Sequence, residues 1–186
     1  SGNYRLQFYD CGSNNVLSEY YNDKAALEGA DEVSVTAGSA TPNINAQLAS
    51  AGSITGTVTN ASNTPLDDIC VDAYDSSGDQ VRSTGTNVSG DYTVGGLATG
   101  NYRLQFYDCG SNNVLSEYYN NKATLAAADQ VSVTAGAATP NTNAQLASAG
   151  SITGTVTNAS NMPLDDICVD AYDSSGDQVR STGTNA

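Results

Sequence analysis

Short runs of alternating apolar and polar residues along the chain predict β-strands. Residues 53–59 (SITGTVT), 68–75 (DICVDAYD) and 101–109 (NYRLQFYDC) each place apolar side chains at every second position. This period of two is typical of a strand with one buried face. The residues predicted to face the core are Ile54, Gly56, Val58, Ile69, Val71, Ala73, Tyr102, Leu104 and Phe106.

Further strands are predicted around these three. Tyr92 and Val94 indicate a strand that ends at a break over residues 95–97 (GGL), and two further strands are predicted near the end of the repeat. Residues 110–129 read as a long connection, with a short helical turn near 122–128. The apolar positions of the two last strands are Val131, Val133 and Ala135, and then Ala144 and Leu146.

The loop Ser76–Gly78 predicts a β-hairpin with Gly78 in the left-handed conformation. Closure of this hairpin by Asp75 and Asp79 sets the register of its two strands. Counting back from the loop gives the pairs Tyr74–Gln80, Ala73–Val81 and Asp72–Arg82. The last pair joins opposite charges on an exposed face, where an ion pair contributes about 0.2–1 kcal/mol.

The strand pattern repeats along the chain. The segment GNYRLQFYDCG at residues 2–12 returns unchanged at 100–110, a period of 98 residues. Residues 1–88 and 99–186 differ at ten of 88 positions. The period divides the chain into the C-terminal part of one repeat (1–50), a complete repeat (51–148) and the N-terminal part of the next (149–186).

Charge and composition exclude several classes of function. Six Lys and Arg against twenty Asp and Glu give a net charge of −14, which repels nucleic acid. No apolar run approaches the 18 residues of a membrane span, so membrane insertion is not expected in this segment. The chain has no His, and adjacent carboxylates such as Asp67 and Asp68 point to opposite faces of a strand. Catalysis is therefore not expected.

The four cysteines form one pair per repeat. Cys70 and Cys109 are 39 residues apart and are both predicted on outward positions of their strands. The absence of His and of a CxxC motif makes a zinc site a poor explanation. We therefore expect a Cys70–Cys109 disulfide, with free or buried thiols as the alternative. By the same rule, Cys11 and Cys168 are expected to pair with adjacent repeats or chains.

The motifs SITGTVTN, PLDDICVDAYD and SGDYTVGGLATGNYRLQFYD resemble the carboxypeptidase regulatory-like domain, a transthyretin-like fold related to Cna B-type domains of bacterial surface proteins. The resemblance covers the whole repeat. It implies an all-β fold of tandem seven-stranded β-sandwiches with about 98 residues per repeat. It also implies an accessory, stalk or adhesive module without catalytic activity.

Two sets of residues are candidates for binding. Carboxylates could offer oxygen ligands to calcium, although they lack the spacing of an EF-hand and also suit solvated turns. The calcium candidates are Asp67, Asp68, Asp75, Asp79 and Asp91. Tyr118 and Tyr119 could bind a glycan or protein, or could instead cap the core of the sandwich.

The sequence therefore predicts an extracellular structural protein at the cell surface. Near-identical repeats favour a stalk or filament, in which the partners are neighbouring copies of the same repeat joined head to tail. No cofactor is required, and calcium remains a candidate. The alternative is an adhesin module that recognises glycan or protein through the Tyr-rich connection, with or without calcium.

Overall fold

A computed structural model describes residues 1–185, and Ala186, the last residue of the predicted 149–186 segment, lies outside the described residues. The chain divides into two compact units, Ser1–Ala149 and Gly150–Ala186. Apart from two 3₁₀ turns, Leu27–Gly29 and Leu125–Ala127, the regular structure is β-strand, so the all-β prediction is confirmed. Within residues 1–185, no helix has the length and apolar character of a membrane span.

Residues 1–50 form four short strands in two antiparallel pairs. The strands are β1 (Gly2–Tyr4), β2 (Gln7–Phe8), β3 (Glu19–Tyr20) and β4 (Val33–Val35). Strand β1 pairs with β4, and β2 pairs with β3. The same pairings recur in the complete repeat, where one long strand takes the place of β1 and β2.

Residues 51–148 form two sheets that face each other as a β-sandwich. The nine strands are β5 (Gly52–Asn60), β6 (Ile69–Tyr74), β7 (Gln80–Gly85), β8 (Asp91–Leu97), β9 (Gly100–Asp108), β10 (Glu117–Tyr118), β11 (Val131–Val133), β12 (Ala138–Thr139) and β13 (Ala144–Leu146). One sheet has the order β10-β9-β6-β7 with β11 also on β9, and the other has β12-β5-β13 with β8 also on β5. The count reaches nine because two short strands share one edge of each sheet.

The core lies between these two sheets. Every residue predicted to face inward on β5, β6 and β9 is buried except Gly56, which is half-buried. Tyr92 and Phe106 meet edge to face across the core, with ring centroids 5.8 Å apart. The alternation of apolar residues therefore located the core, because successive strand residues point to opposite faces.

The hairpin of β6 and β7 follows the predicted turn but not the predicted register. Gly78 has φ +89°, and the Asp75 amide donates to the Asp79 carbonyl at 2.9 Å. The Tyr74–Gln80 pair is as predicted, but a β-bulge then shifts the register, so that Arg82 lies opposite Ala73. The predicted Ala73–Val81 and Asp72–Arg82 pairs are wrong because the bulge places one extra residue in β7.

The predicted break at residues 95–97 is also wrong. Strand β8 continues to Leu97, and Gly96 is accommodated within it at φ +71°. The register with β5 shifts near this point, between Gly52 and Ile54. Glycine here produces a local irregularity in a continuous strand because it tolerates positive φ.

The second unit contains one antiparallel hairpin, formed by β14 (Cys168–Tyr172) and β15 (Gln178–Gly183). Its bulge between Ala171 and Tyr172 matches the bulge in the complete repeat. The apolar side chains of Val169 and Val179 are exposed. The hairpin and its bulge are therefore local properties of this sequence.

Candidate functional site

A disulfide joins Cys70 on β6 to Cys109, the residue that follows β9, with the Cα atoms 5.7 Å apart. The bond forms across neighbouring strands, since Cys70 lies opposite Tyr107 in the ladder. Within the described residues, Cys11 and Cys168 are exposed and unpaired. Each complete repeat can therefore close its own disulfide, whereas the partial copies hold one exposed thiol each.

The candidate calcium ligands do not converge, and three of them accept hydrogen bonds from within the repeat. The Asp75 carboxylate accepts from the amides of Ser77 and Asp79 at 2.8 and 3.1 Å. Asp67 accepts from the Asp68 amide, and Asp91 accepts from the Thr57 hydroxyl. In the part of the chain that the structure describes, no three His, Cys, Asp or Glu side chains converge as a metal site would require.

The tyrosines of the 110–129 connection are half-buried. The Tyr119 side chain packs against the core of the complete repeat, and its amide donates to the Leu104 carbonyl at 3.0 Å. Tyr118 lies in β10 opposite Gln105. Tyr119 thus has the core-capping position that was the alternative to a binding role.

A buried carboxylate lies on the outer face of β6, where the sequence predicted an exposed one. Asp72 is only 4% exposed, and its Oδ1 atom has no hydrogen-bond partner among the described residues. Burial, followed by the negative charge of Asp72, raises the pKa of Tyr74 and of Tyr107. Sequence reasoning missed this group because an outward position on a strand normally predicts exposure.

Residues 1–50 contact the start of the complete repeat through a set of hydrogen bonds that we call the inter-repeat joint, formed by Asn15, 49–51 and 95–96. The Ala51 amide donates to the Asn15 carbonyl at 2.8 Å. The Asn15 side chain donates from Nδ2 to the Ala51 carbonyl at 3.0 Å and accepts at Oδ1 from the Gly96 amide at 2.7 Å. The sequence carried no signal for the last contact, which spans 81 residues.

A cleft of about 750 Å³ lies beside the joint. Its walls include Tyr9 and Asp10 from the first segment, and Arg82 and Thr93 from the complete repeat. Tyr9 is 61% exposed. Both ion pairs within residues 1–185 involve other cations, Arg5 and Lys122, so Arg82 is without a carboxylate partner. The cleft thus offers an aromatic ring and an available cation.

A family model described as carboxypeptidase regulatory-like domain matches residues 53–147, which is just over half of the 186 residues. The chain belongs to the carboxypeptidase regulatory-like domain family. The matched range covers nearly all of the disulfide-linked sandwich, from β5 to β13. The resemblance in the strand motifs is therefore confirmed.

Three solved structures of bacterial proteins show low sequence identity to this carboxypeptidase regulatory-like chain. The Bacillus anthracis TIE protein is 16% identical, with a TM-score of 0.43, over 99% of this chain and 32% of that chain. The minor pilin of Streptococcus agalactiae is 15% identical, with a TM-score of 0.41, over 75% of this chain and 68% of that chain. A streptococcal ancillary pilin is 11% identical, with a TM-score of 0.43, over 98% of this chain and 60% of that chain. The chain thus spans about a third of the length of the TIE protein. No curated protein matches the sequence.

The loop that follows β9 in the carboxypeptidase regulatory-like repeat is closed by Asp108. Its carboxylate accepts from the amides of Gly110 and Asn113 at 3.0 and 2.8 Å, and from Asn112 Nδ2 at 3.3 Å. Burial raises the pKa of Asp108, but the hydrogen bonds from Asn112, Asn113 and Gly110 outweigh it, so the net pKa is below the usual 3.8. The ionised form is therefore the one that holds this loop.

We expect Asp108→Asn to weaken the folded repeat at pH 7 and to reduce its sensitivity to acid. A carboxyl group whose pKa is lower in the folded state stabilises that state above its unfolded pKa, 3.8, and loses this effect as the pH falls through the folded pKa. Urea unfolding between pH 7 and pH 2, with the Asp108 carboxyl titration followed by NMR, measures both quantities. An Asp108 pKa at or above 3.8 would contradict the prediction.

Proposed function

We propose that this chain is part of an extracellular structural protein in which β-sandwiches in series form a stalk or filament at or beyond the cell surface. The observation that carries the proposal is the near-identity of the repeat, with ten differences over 88 aligned positions. An array of equivalent joints requires such repetition, because each unit contacts only its neighbours. A single binding or catalytic site does not require it.

The chemistry of the repeat supports a role outside the cell. The Cys70–Cys109 disulfide suits an oxidising compartment. A net charge of −14 favours solubility of a long polymer and opposes nonspecific association. The absence of His from the sequence removes the usual general base, which supports a non-enzymatic role.

The proposed partners are neighbouring copies of the repeat, joined head to tail. Cys11 and Cys168 are equivalent to Cys109 and Cys70 of the complete repeat. Both are exposed in the described chain. Cys11 would then bond the counterpart of Cys70 in an adjacent copy, and Cys168 would bond the counterpart of Cys109.

Electron microscopy of native material tests the proposal. We expect filaments or elongated particles built from units of one sandwich each. Intact and non-reducing mass spectrometry shows whether these are continuous polypeptides or 19.0 kDa chains linked by disulfides. Compact, well-separated monomeric particles in the native preparation would contradict a filament.

The cleft beside the inter-repeat joint favours a second candidate function, a glycan-binding adhesin. The exposed Tyr9 side chain could stack on a sugar face. The Arg82 guanidinium, which donates from Nη1 to the Val81 carbonyl at 2.7 Å but has no carboxylate partner among the described residues, could bind the sugar oxygens with its other N–H groups. Calcium bound by Asp75 or Asp91 could contribute, as could Tyr118 and Tyr119. This candidate shares the extracellular location but requires a ligand.

A glycan array with calcium, repeated with a chelator, tests the adhesin candidate. We expect that any true signal falls in Arg82→Ala and persists in Arg180→Ala, since Arg180 is the equivalent residue in the second unit. Loss of the signal on chelation would support a calcium role. Silence of the array, or equal loss in both variants, would count against a site in the cleft.

A further inference from the structure

We propose that the Asn15 side chain fixes the angle between consecutive repeats by contacting Gly95 and hydrogen-bonding Gly96 of the following repeat, an interaction that we call the lock. We propose that Asn113 can make the same interaction with another copy. This inference rests on the proposed serial array. It adds to that proposal the residue that makes the contact, Asn15, and the strand segment that it binds, Gly95–Gly96. The partner is another copy of this repeat.

The backbone part of the joint belongs to every copy. The Leu17 amide donates to the Ala49 carbonyl at 2.8 Å, and the Leu115 amide donates to the Ala147 carbonyl at the same distance. Likewise the Ala149 amide donates to the Asn113 carbonyl at 2.8 Å, as Ala51 does to Asn15. These bonds tie the chain leaving a repeat to the end of that repeat.

The side-chain part reaches into the next repeat. Asn15 Oδ1 accepts from the Gly96 amide at 2.7 Å while its Nδ2 donates to Ala51 at 3.0 Å. A side-chain amide is suited to this position because it carries a donor and an acceptor together. Asp could accept but not donate, and an apolar residue would leave the Gly96 amide without this partner.

The receptor strand needs glycine at both positions. A Cβ atom added at Gly95 would lie 2.9 Å from Asn15 Oδ1, so any other residue there would push the asparagine away. Gly96 has φ +71°, which side chains other than glycine rarely adopt. The GG pair that the sequence suggested as a strand break is thus the surface on which Asn15 seats.

The Asn15 side chain is held in position before it meets the next repeat. Asn15 has φ +52°, a left-handed conformation that asparagine tolerates better than most residues. Its amide donates to Asp10 Oδ2 at 2.9 Å. The lock is therefore prearranged by the loop of its own repeat, which lowers the entropic cost of docking.

The second copy of this arrangement has the same form. Asn113 has φ +52°, and its amide donates to Asp108 Oδ2 at 2.8 Å. Its Nδ2 donates to the Ala149 carbonyl at 3.3 Å. Among the described residues, its Oδ1 atom accepts no hydrogen bond, which is the difference from Asn15. The loop around Asn113 therefore has the same form as the loop that holds Asn15, and under this proposal it binds the Gly-Gly strand of another copy.

Amide hydrogen exchange in the full chain tests the lock. We expect Asn15→Ala to speed exchange of the Gly96 amide by about tenfold, the effect of one lost hydrogen bond of ordinary strength. Asn113→Ala is the matched control and should leave Gly96 exchange unchanged. Gly95→Ala should reproduce the effect of Asn15→Ala from the other side of the contact. Unchanged Gly96 exchange in Asn15→Ala, or equal effects of both Asn variants, would overturn the lock.

A second readout separates failure of the lock from failure of the proposed function. In material from a variant with Ala at every position equivalent to Asn15, we expect filaments that bend more sharply in electron micrographs than filaments of the unchanged protein. Filaments as straight as the unchanged material would overturn the lock and leave the filament proposal standing. Near-ultraviolet circular dichroism, reporting Tyr and the disulfide, controls for folding of each variant.

Discussion

Replacing Phe106 with alanine is expected to destabilise the complete repeat by about 3–5 kcal/mol. Phe106 is fully buried, lies opposite Val71 in the ladder and meets the Tyr92 ring at 5.8 Å. Truncation removes this apolar surface from the core and leaves a cavity between the two sheets. Because domains of this size are commonly stable by 5–15 kcal/mol, the variant should be close to unfolding at 25 °C.

Phe8→Ala is the matched control for this substitution. Phe8 occupies the equivalent position of the first, incomplete copy, where it is only half-buried. Urea unfolding can be monitored through the NMR signals of Tyr92 and its neighbours. These signals should show a large loss of stability for Phe106→Ala and little change for Phe8→Ala. Equal effects of the two variants would mean that residues 51–148 do not form the independent core described above.

Removing the Cys70–Cys109 disulfide is expected to lower the free energy of unfolding by about 2–4 kcal/mol. The bond closes a segment of 39 residues that contains the hairpin and strands β8 and β9. Without it, the unfolded chain gains freedom that the oxidised chain lacks. Guanidinium unfolding of the Cys70→Ala/Cys109→Ala double variant measures the difference.

The chain supplies the control for the cysteine experiment as well. Cys168 and Cys11 are the counterparts of Cys70 and Cys109, and both are exposed and unpaired in the described chain. The Cys11→Ala/Cys168→Ala double variant should unfold at the same denaturant concentration as the unchanged protein. A loss of stability of the same size in both double variants would contradict a specific role for the Cys70–Cys109 bond.

Local sequence patterns predicted the local structure well. The 3₁₀ turn Leu125–Ala127 falls within the predicted helical turn at 122–128, and Gly78 has the expected positive φ. These features depend on residues close together in the chain, so their causes are visible in the sequence. The bulge in β7 is a local feature as well, since it recurs in β15, but no residue type announced it.

Features that join distant residues could not be predicted in this way. The burial of Asp72 is one such feature, because the tyrosines whose pKa values its charge raises include Tyr107 on another strand, β9. The contact between Asn15 and Gly96 depends on how one repeat ends against the next. No short motif encodes either, because each arises from the meeting of two separately ordered segments.

The sequence by itself determined the repeat period, the net charge, the Cys70–Cys109 pairing and which strand positions face the core. Tertiary structure decided whether a strand forms at all. Residues 52–60 and 150–158 are identical, yet the first is a nine-residue strand and the second has only a bridge at Thr157. Strand β5 is paired with β8, β12 and β13, whereas the only ladder partner of residues 150–158 among the described residues is Pro163, opposite Thr157. A strand needs neighbours to satisfy its backbone hydrogen bonds and to cover its apolar face.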